Sequence, residues 1–172
     1  MSKFVLDAGH GGKDAGAVNG ALLEKDAALR LVKLLGAELE SMGHEVVYTR
    51  SDDTFVELHQ RCVLSNSVAP AAFVSIHLNS SQNKQAYGAE TWYCEGSSKG
   101  HELATKIQSN IIAATGARDR GIKAGSFYVL KHSQAPAVLI EVGFISNDLE
   151  GPELFTSHYQ RKLVTAIASA LD

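Results

Sequence analysis

Val138-Leu139-Ile140-Glu141-Val142-Gly143-Phe144 is an almost unbroken apolar run with one acid inside it. Side chains alternate faces along a strand, so Val138, Ile140 and Val142 share one face, and Leu139, Glu141 and Gly143 the other. A run apolar on both faces marks a strand covered on both sides, as in a parallel sheet under two layers of helix. A carboxylate there is costly unless it is protonated, paired or close to a metal. Glu141 is therefore either a core acid salt-bridged to an arginine or a catalytic acid/base whose partners lie elsewhere in the chain.

Outward from this strand the pattern alternates. Lys3 to Asp7 reads as a first strand, followed by the turn Asp7-Ala8-Gly9-His10-Gly11-Gly12-Lys13-Asp14-Ala15-Gly16, too rich in glycine for helix or strand. The spacing of Ala28, Leu31, Leu35, Leu39 and Met42 predicts a helix over Leu23–Met42 that stops at Gly43. Glu24 falls on that apolar stripe, in the first turn. Further strands are expected over 44–50, 71–78 and 88–94, and a short fifth at 127–130 after the loop 116–121. Further helices are expected over 55–68, 99–115 and 157–171. Alternating strands and helices predict one α/β domain over 1–172, with a largely parallel sheet and helices on both faces.

Composition agrees. With 172 residues, 45% of them hydrophobic and 20% charged, the chain can bury a sizeable core. A net charge of −3 provides no basic field toward nucleic acid or anionic lipid. No stretch nears the ~20 apolar residues of a membrane span, the start lacks the apolar region of a signal peptide, and a monomer is expected. Cys62 and Cys94 fit neither a disulfide scaffold nor a CxxC metal site and read as free thiols.

Three apolar strands end in groups able to bind metal or move protons: His10 after the first, His77 late in the third, Glu141 late in the last. Ligands gather outside the carboxyl ends of strands in such sheets, and Glu24 opens the next helix at the same edge. Two His and one Glu would give Zn²⁺ three protein ligands and leave a position open, a catalytic pattern, with Glu141 free to act as base and acid. Each residue also has a plainer reading: His10 as a surface residue, His77 as a half-buried structural one, the turn as a phosphate cradle, although it matches neither GxxxxGK[ST] nor GxGxxG. His44, His59, His101, His132 and His158 read as surface or structural.

Val5 to Gly16 resembles the opening motif of zinc-dependent N-acetylmuramoyl-L-alanine amidases of the family 3 type. Leu23-Glu24-Lys25, Thr49-Arg50-Ser51-Asp52-Asp53, Phe73 to Ser80, Asp119-Arg120-Gly121-Ile122 and Ile140 to Asn147 resemble later family motifs in the same order. The resemblance implies a twisted, mixed, mainly parallel sheet, zinc on His10, Glu24 and His77, and Glu141 as the catalytic glutamate. It also implies a bacterial autolysin or phage endolysin acting on peptidoglycan in the cell wall. The reaction would cut the amide between N-acetylmuramic acid and L-alanine of the stem peptide, Glu141 taking a proton from water and passing it to the leaving amine. Asn79 and Arg120 are candidates for substrate binding, Asp7 and Asp14 for orienting the zinc ligands. No inserted autoinhibitory helix and no separate wall-binding domain are expected. The competing readings are a zinc exopeptidase of carboxypeptidase type and a catalytically inactive wall-binding module.

Overall fold

A computed structural model describes residues 1–172. In chain order the elements are β1 (Lys3–Ala8), β2 (Val18–Asn19), β3 (Leu22–Leu23), α1 (Glu24–Ser41), β4 (Glu45–Tyr48), α2 (Leu58–Val68), β5 (Ala72–Asn79) and β6 (Ala89–Cys94). They continue with α3 (Ser98–Thr115), β7 (Asp119–Gly125), α4 (Tyr128–Lys131), β8 (Ala137–Phe144), α5 (Glu150–Glu153) and α6 (Ser157–Leu171). Six strands form one sheet in the order β4-β1-β5-β8-β6-β7, and β2 with β3 makes a small hairpin. β4, β1, β5 and β8 run parallel, β6 is antiparallel to β8, and β7 is parallel to β6. The expected α/β class, with a mainly parallel mixed sheet between helices, is the one observed. No helix is long and apolar enough to cross a membrane.

The two faces are covered unequally, and that inequality makes the site. Phe4, Leu6, Val74, Ile76, Val138, Ile140 and Val142 point to one face and pack with Leu31, Leu35 and Leu39 of α1, Ile107 and Ile111 of α3, and Leu163 and Ile167 of α6 in one 29-residue core. Each fully buried leucine or isoleucine there contributes about 1.5–3 kcal/mol. The opposite face carries a smaller apolar cluster, Val5, Phe73, Ala137 and Leu139 against Cys62 of α2 and Val129 and Leu130 of α4. Those two helices have 11 and 4 residues. They cover the amino-terminal half of the parallel strands and leave the carboxyl-end half, where Asp7, His77 and Glu141 stand, under a cleft.

Three expectations are corrected. The residues expected as a fifth strand, 127–130, form the α4 turn, in which Leu130 and Lys131 both donate their N–H to Phe127 O at 3.0 and 2.9 Å. The apolar run bends because Val129 and Leu130 enter the small core while Phe127 and Tyr128 stay exposed toward the cleft. The real edge strand is β7, in a segment whose start reads as loop from sequence. Its charges and Gly121 hide it, as edge strands often do. Met42 belongs to no buried stripe: it caps α1 and is 38% exposed. Also, α2 starts at Leu58 rather than Phe55, because Glu57 and Gln60 form a reciprocal capping box. Cys62 and Cys94 are free thiols.

Candidate active site and metal centre

His10, Glu24 and His77 come together at the carboxyl edge of the sheet, each offering one ligand atom, all within 4.8 Å of one another. Glu24 is the hub. Its Oε1 lies 3.1 Å from His10 Nε2 and 3.1 Å from His77 Nδ1, and accepts the Leu78 N–H at 3.0 Å. Its Oε2 accepts the Ala17 N–H at 2.8 Å. As first residue of α1 it also sits at the positive end of the helix dipole. Burial would raise its pKa, but the two imidazoles overcome that and hold the carboxyl far below the usual range.

The glycine-rich turn is shaped by these side chains. A Cβ on Gly9 would collide with the His77 ring, and one on Gly16, at φ +67°, would lie 2.6 Å from both Glu24 Oε2 and His10 Cδ2. His10 itself sits at φ 61°, a left-handed conformation that costs a non-glycine residue energy. Two buried arginines hold it there. Arg61 donates from Nη2 to His10 O at 2.8 Å and from Nη1 to Ala8 O and Asp7 Oδ1. Arg50 donates from Nε to Ala8 O and from Nη2 to Gly9 O and Lys25 O.

Of the two residues expected to orient the ligands, Asp14 touches one directly: its Oδ2 lies 2.9 Å from His10 Nδ1. Burial lowers the proton affinity of His10, yet Glu24 and Asp14 push its pKa up to about 9. Asp7 touches no histidine. It is 1% exposed and accepts from Thr49 Oγ1, Ser75 Oγ and Arg61, so it acts on His10 only through Arg61. Burial would raise its pKa, but Arg61 and the two hydroxyls bring it below the usual carboxylate value. A depressed folded-state pKa stabilises the fold above the unfolded value of ~3.9 and stops doing so as pH falls through the lower folded value. Asp7→Ala should therefore cost about 3–5 kcal/mol at neutral pH by stranding Arg61. The gap from wild type should close below pH ~4, as followed by melts across pH.

Glu141 lies one strand over. His77 on β5 pairs with Glu141 on β8, which pairs with Glu90 on β6, so the three stand in one row on the cleft face. Glu141 makes no hydrogen bond or ion pair, and its Oε2 is buried without a partner. The salt-bridged core acid considered from sequence is thereby excluded. Burial pushes its pKa up to about 7, His77 opposing and Glu24 and Glu90 reinforcing the rise. A cavity of about 600 Å³ opens on the cluster, bounded by Glu141, Asn79, Phe55, Leu58, Phe127 and Tyr128.

Asn79 and Arg120 meet at Glu90, which accepts from Asn79 Nδ2 and Arg120 Nε. Arg61 and Glu90 escape the sequence reading, and Arg50 enters it only within a motif, with no role attached. Glu90 carries the same signal as Glu141, an acid within an apolar strand. The other five histidines stay away from the cluster, with His44 tied to Asp172 and His59 near Tyr128.

The donor set suits a metal. Two imidazole nitrogens and one carboxylate oxygen converge beside a buried acid oxygen that lacks a partner, which is the donor chemistry zinc prefers. Residues 4–172 match the family described as N-acetylmuramoyl-L-alanine amidase. The chain belongs to this amidase family. Its relatives include YqiI of Bacillus subtilis, described as uncharacterized, 40% identical over 97% of this chain and 82% of its own length. The amidase LytC of the same organism is 37% identical over 94% of this chain, which spans only 33% of LytC. Among solved structures, the catalytic domain of the amidase CwlV from Bacillus (Paenibacillus) polymyxa var. colistinus superposes with a TM-score of 0.95 at 40% identity, covering 99% of this chain and 96% of that one.

Proposed function

We propose that this chain is a zinc-dependent peptidoglycan hydrolase that cuts the amide between N-acetylmuramic acid and L-alanine of the stem peptide. Membership of the amidase family supports the reaction class. The observation that carries the mechanism is the partnerless, buried Glu141 Oε2 one strand from the His10–Glu24–His77 cluster. Residues 1–172 would form the catalytic domain, acting on the bacterial cell wall.

His10, Glu24 and His77 would hold the zinc. The chemistry zinc supplies when bound is Lewis acidity toward the scissile carbonyl and toward water. With zinc bound, His10 would be neutral, and Asp14 would fix its tautomer by accepting Nδ1–H, leaving Nε2 to face the cluster. The N–H groups of Leu78 and Ala17 keep the Glu24 carboxylate in place. Glu141 has no competing partner for its proton. It takes one from the attacking water and returns it to the departing amine of L-alanine. The apolar wall of Phe55, Leu58 and Phe127 limits water around that carboxyl.

Mass spectrometry of digested peptidoglycan tests the bond. New L-alanine amino termini on stems freed from intact glycan are expected, whereas release of single amino acids would instead indicate an exopeptidase.

Chelation tests the metal. Its three ligands lie on separate elements, so zinc at 100 to 1,000 times its Kd should add about 3–4 kcal/mol of stability. That corresponds to a melting temperature roughly 5–15 °C above the chelated form. The chelated chain should keep its circular dichroism, since its 29-residue core involves no metal ligand. Loss of most secondary structure on chelation would contradict this reading.

A further inference from the structure

One strand beyond Glu141, a second acid is buried in the sheet. Glu90 is 3% exposed and stands directly opposite Glu141 in the β6–β8 pairing. Its Oε1 accepts from Asn79 Nδ2 at 3.2 Å and Trp92 Nε1 at 3.0 Å, and its Oε2 from Arg120 Nε at 2.9 Å and Lys123 Nζ at 2.6 Å. One cation would neutralise one carboxylate, but two are present. Both also lie against aromatic rings, Arg120 4.8 Å from the Phe144 centroid and Lys123 5.3 Å from that of Trp92, which preorganises them.

Neither cation is used up. Arg120 engages Glu90 through Nε, reaches Tyr87 O from Nη1 at a long 3.4 Å, and donates from Nη2 to no protein atom. Lys123 makes a single hydrogen bond of the three available to it. Their side chains are 27% and 34% exposed. Lys123 pairs with Trp92, two residues from Glu90, so it stands on the same sheet face as Glu141, and Arg120, at the register shift of β7, joins it there through its bond to Glu90.

We propose that Arg120 and Lys123, held by Glu90, are a subsite for a carboxylate of the stem peptide. This rests on the amidase reading. The two cationic groups meet at Glu90 on β6, two strand spacings, about 10 Å, from His77 of the metal cluster on β5. An extended peptide covers ~3.3–3.6 Å per residue, which places that carboxylate two or three residues from the scissile amide. Glu90 touches no substrate and is a positioning residue.

The test uses two muramyl peptides that differ only at the second and third stem residues, whose carboxylates are free in one and primary amides in the other. The zinc-loaded enzyme should favour the acid form by about tenfold or more in kcat/KM, mostly through KM, as expected for a charge-assisted hydrogen bond. Lys123→Gln and Arg120→Gln should each lower that ratio, and the double variant should bring it close to one. Glu90→Gln should lower it too, by releasing both cations. Lys123→Gln leaves the Arg120–Glu90 pair intact, so at least this variant should fold. If the network merely closes the sheet edge, each variant will slow both substrates alike and leave the ratio unchanged, which overturns the proposal. Equal wild-type rates on the two substrates overturn it as well. If neither peptide gains a new alanine amino terminus, the amidase reading itself fails and takes the subsite with it.

Discussion

Glu141→Gln should lower turnover on peptidoglycan by at least 10²- to 10⁴-fold while the zinc content and fold are kept. Glutamine preserves the volume of the side chain but holds no exchangeable carboxyl proton. The fold should not suffer, because Glu141 makes no hydrogen bond or ion pair and its Oε2 is already without a partner. In the metal-free chain the variant should even gain stability at neutral pH. Burial keeps the wild-type carboxyl protonated to about pH 7 in the folded state, whereas the unfolded chain releases that proton near ~4.3. A raised acid pKa makes the wild type lose stability as pH climbs between those values, and the glutamine variant escapes the loss. Turnover assays and melts of one variant, zinc-loaded and metal-free, check both statements. A destabilised variant that remains active would sink the catalytic role of Glu141.

His10→Ala and His77→Ala should abolish zinc binding and activity together. Each removes one of three converging donors, leaving a two-ligand site. Asp14→Ala offers an internal scale: removing an outer partner of a metal-ligating histidine costs ~10–100-fold in metal affinity, and removing the ligand itself should cost more. The expected order of zinc affinity is wild type, then Asp14→Ala, then either histidine variant, measured by competition with a coloured chelator. Both histidines lie 3.1 Å from the buried Glu24 carboxylate, so the chelated variants should melt below the chelated wild type, and zinc content rather than melting reports the ligand assignment. Full zinc occupancy in either histidine variant by elemental analysis would show the ligand to be wrongly assigned.

The α/β class, the helix stripe through Leu31, Leu35 and Leu39, and the set His10, Glu24, His77 and Glu141 are all legible in the amino-acid sequence. Their signals are local. Periodicity reports which side of an element is buried, and an acid on an apolar strand or stripe stands out against its immediate neighbours. Glu90 carries the same signal, but nothing nearby in the chain says whether a buried acid is paired. Pairing is decided by the sheet. Antiparallel β6 brings Glu90 opposite Glu141, and β7 then delivers Arg120 and Lys123 to one of the two acids and none to the other.

Tertiary structure likewise decides that Arg61 reaches back 54 residues to Asp7, and that Arg50 grips carbonyls of the His10 turn. It turns the apolar run 127–130 into a helical wall rather than a strand, since two of its residues find a core and two a cleft. Sequence pattern determines which side chains leave water. Only the fold determines what each of them meets there, because the strengths of ion pairs, orphaned acids and metal donors depend on distances between segments far apart in the chain.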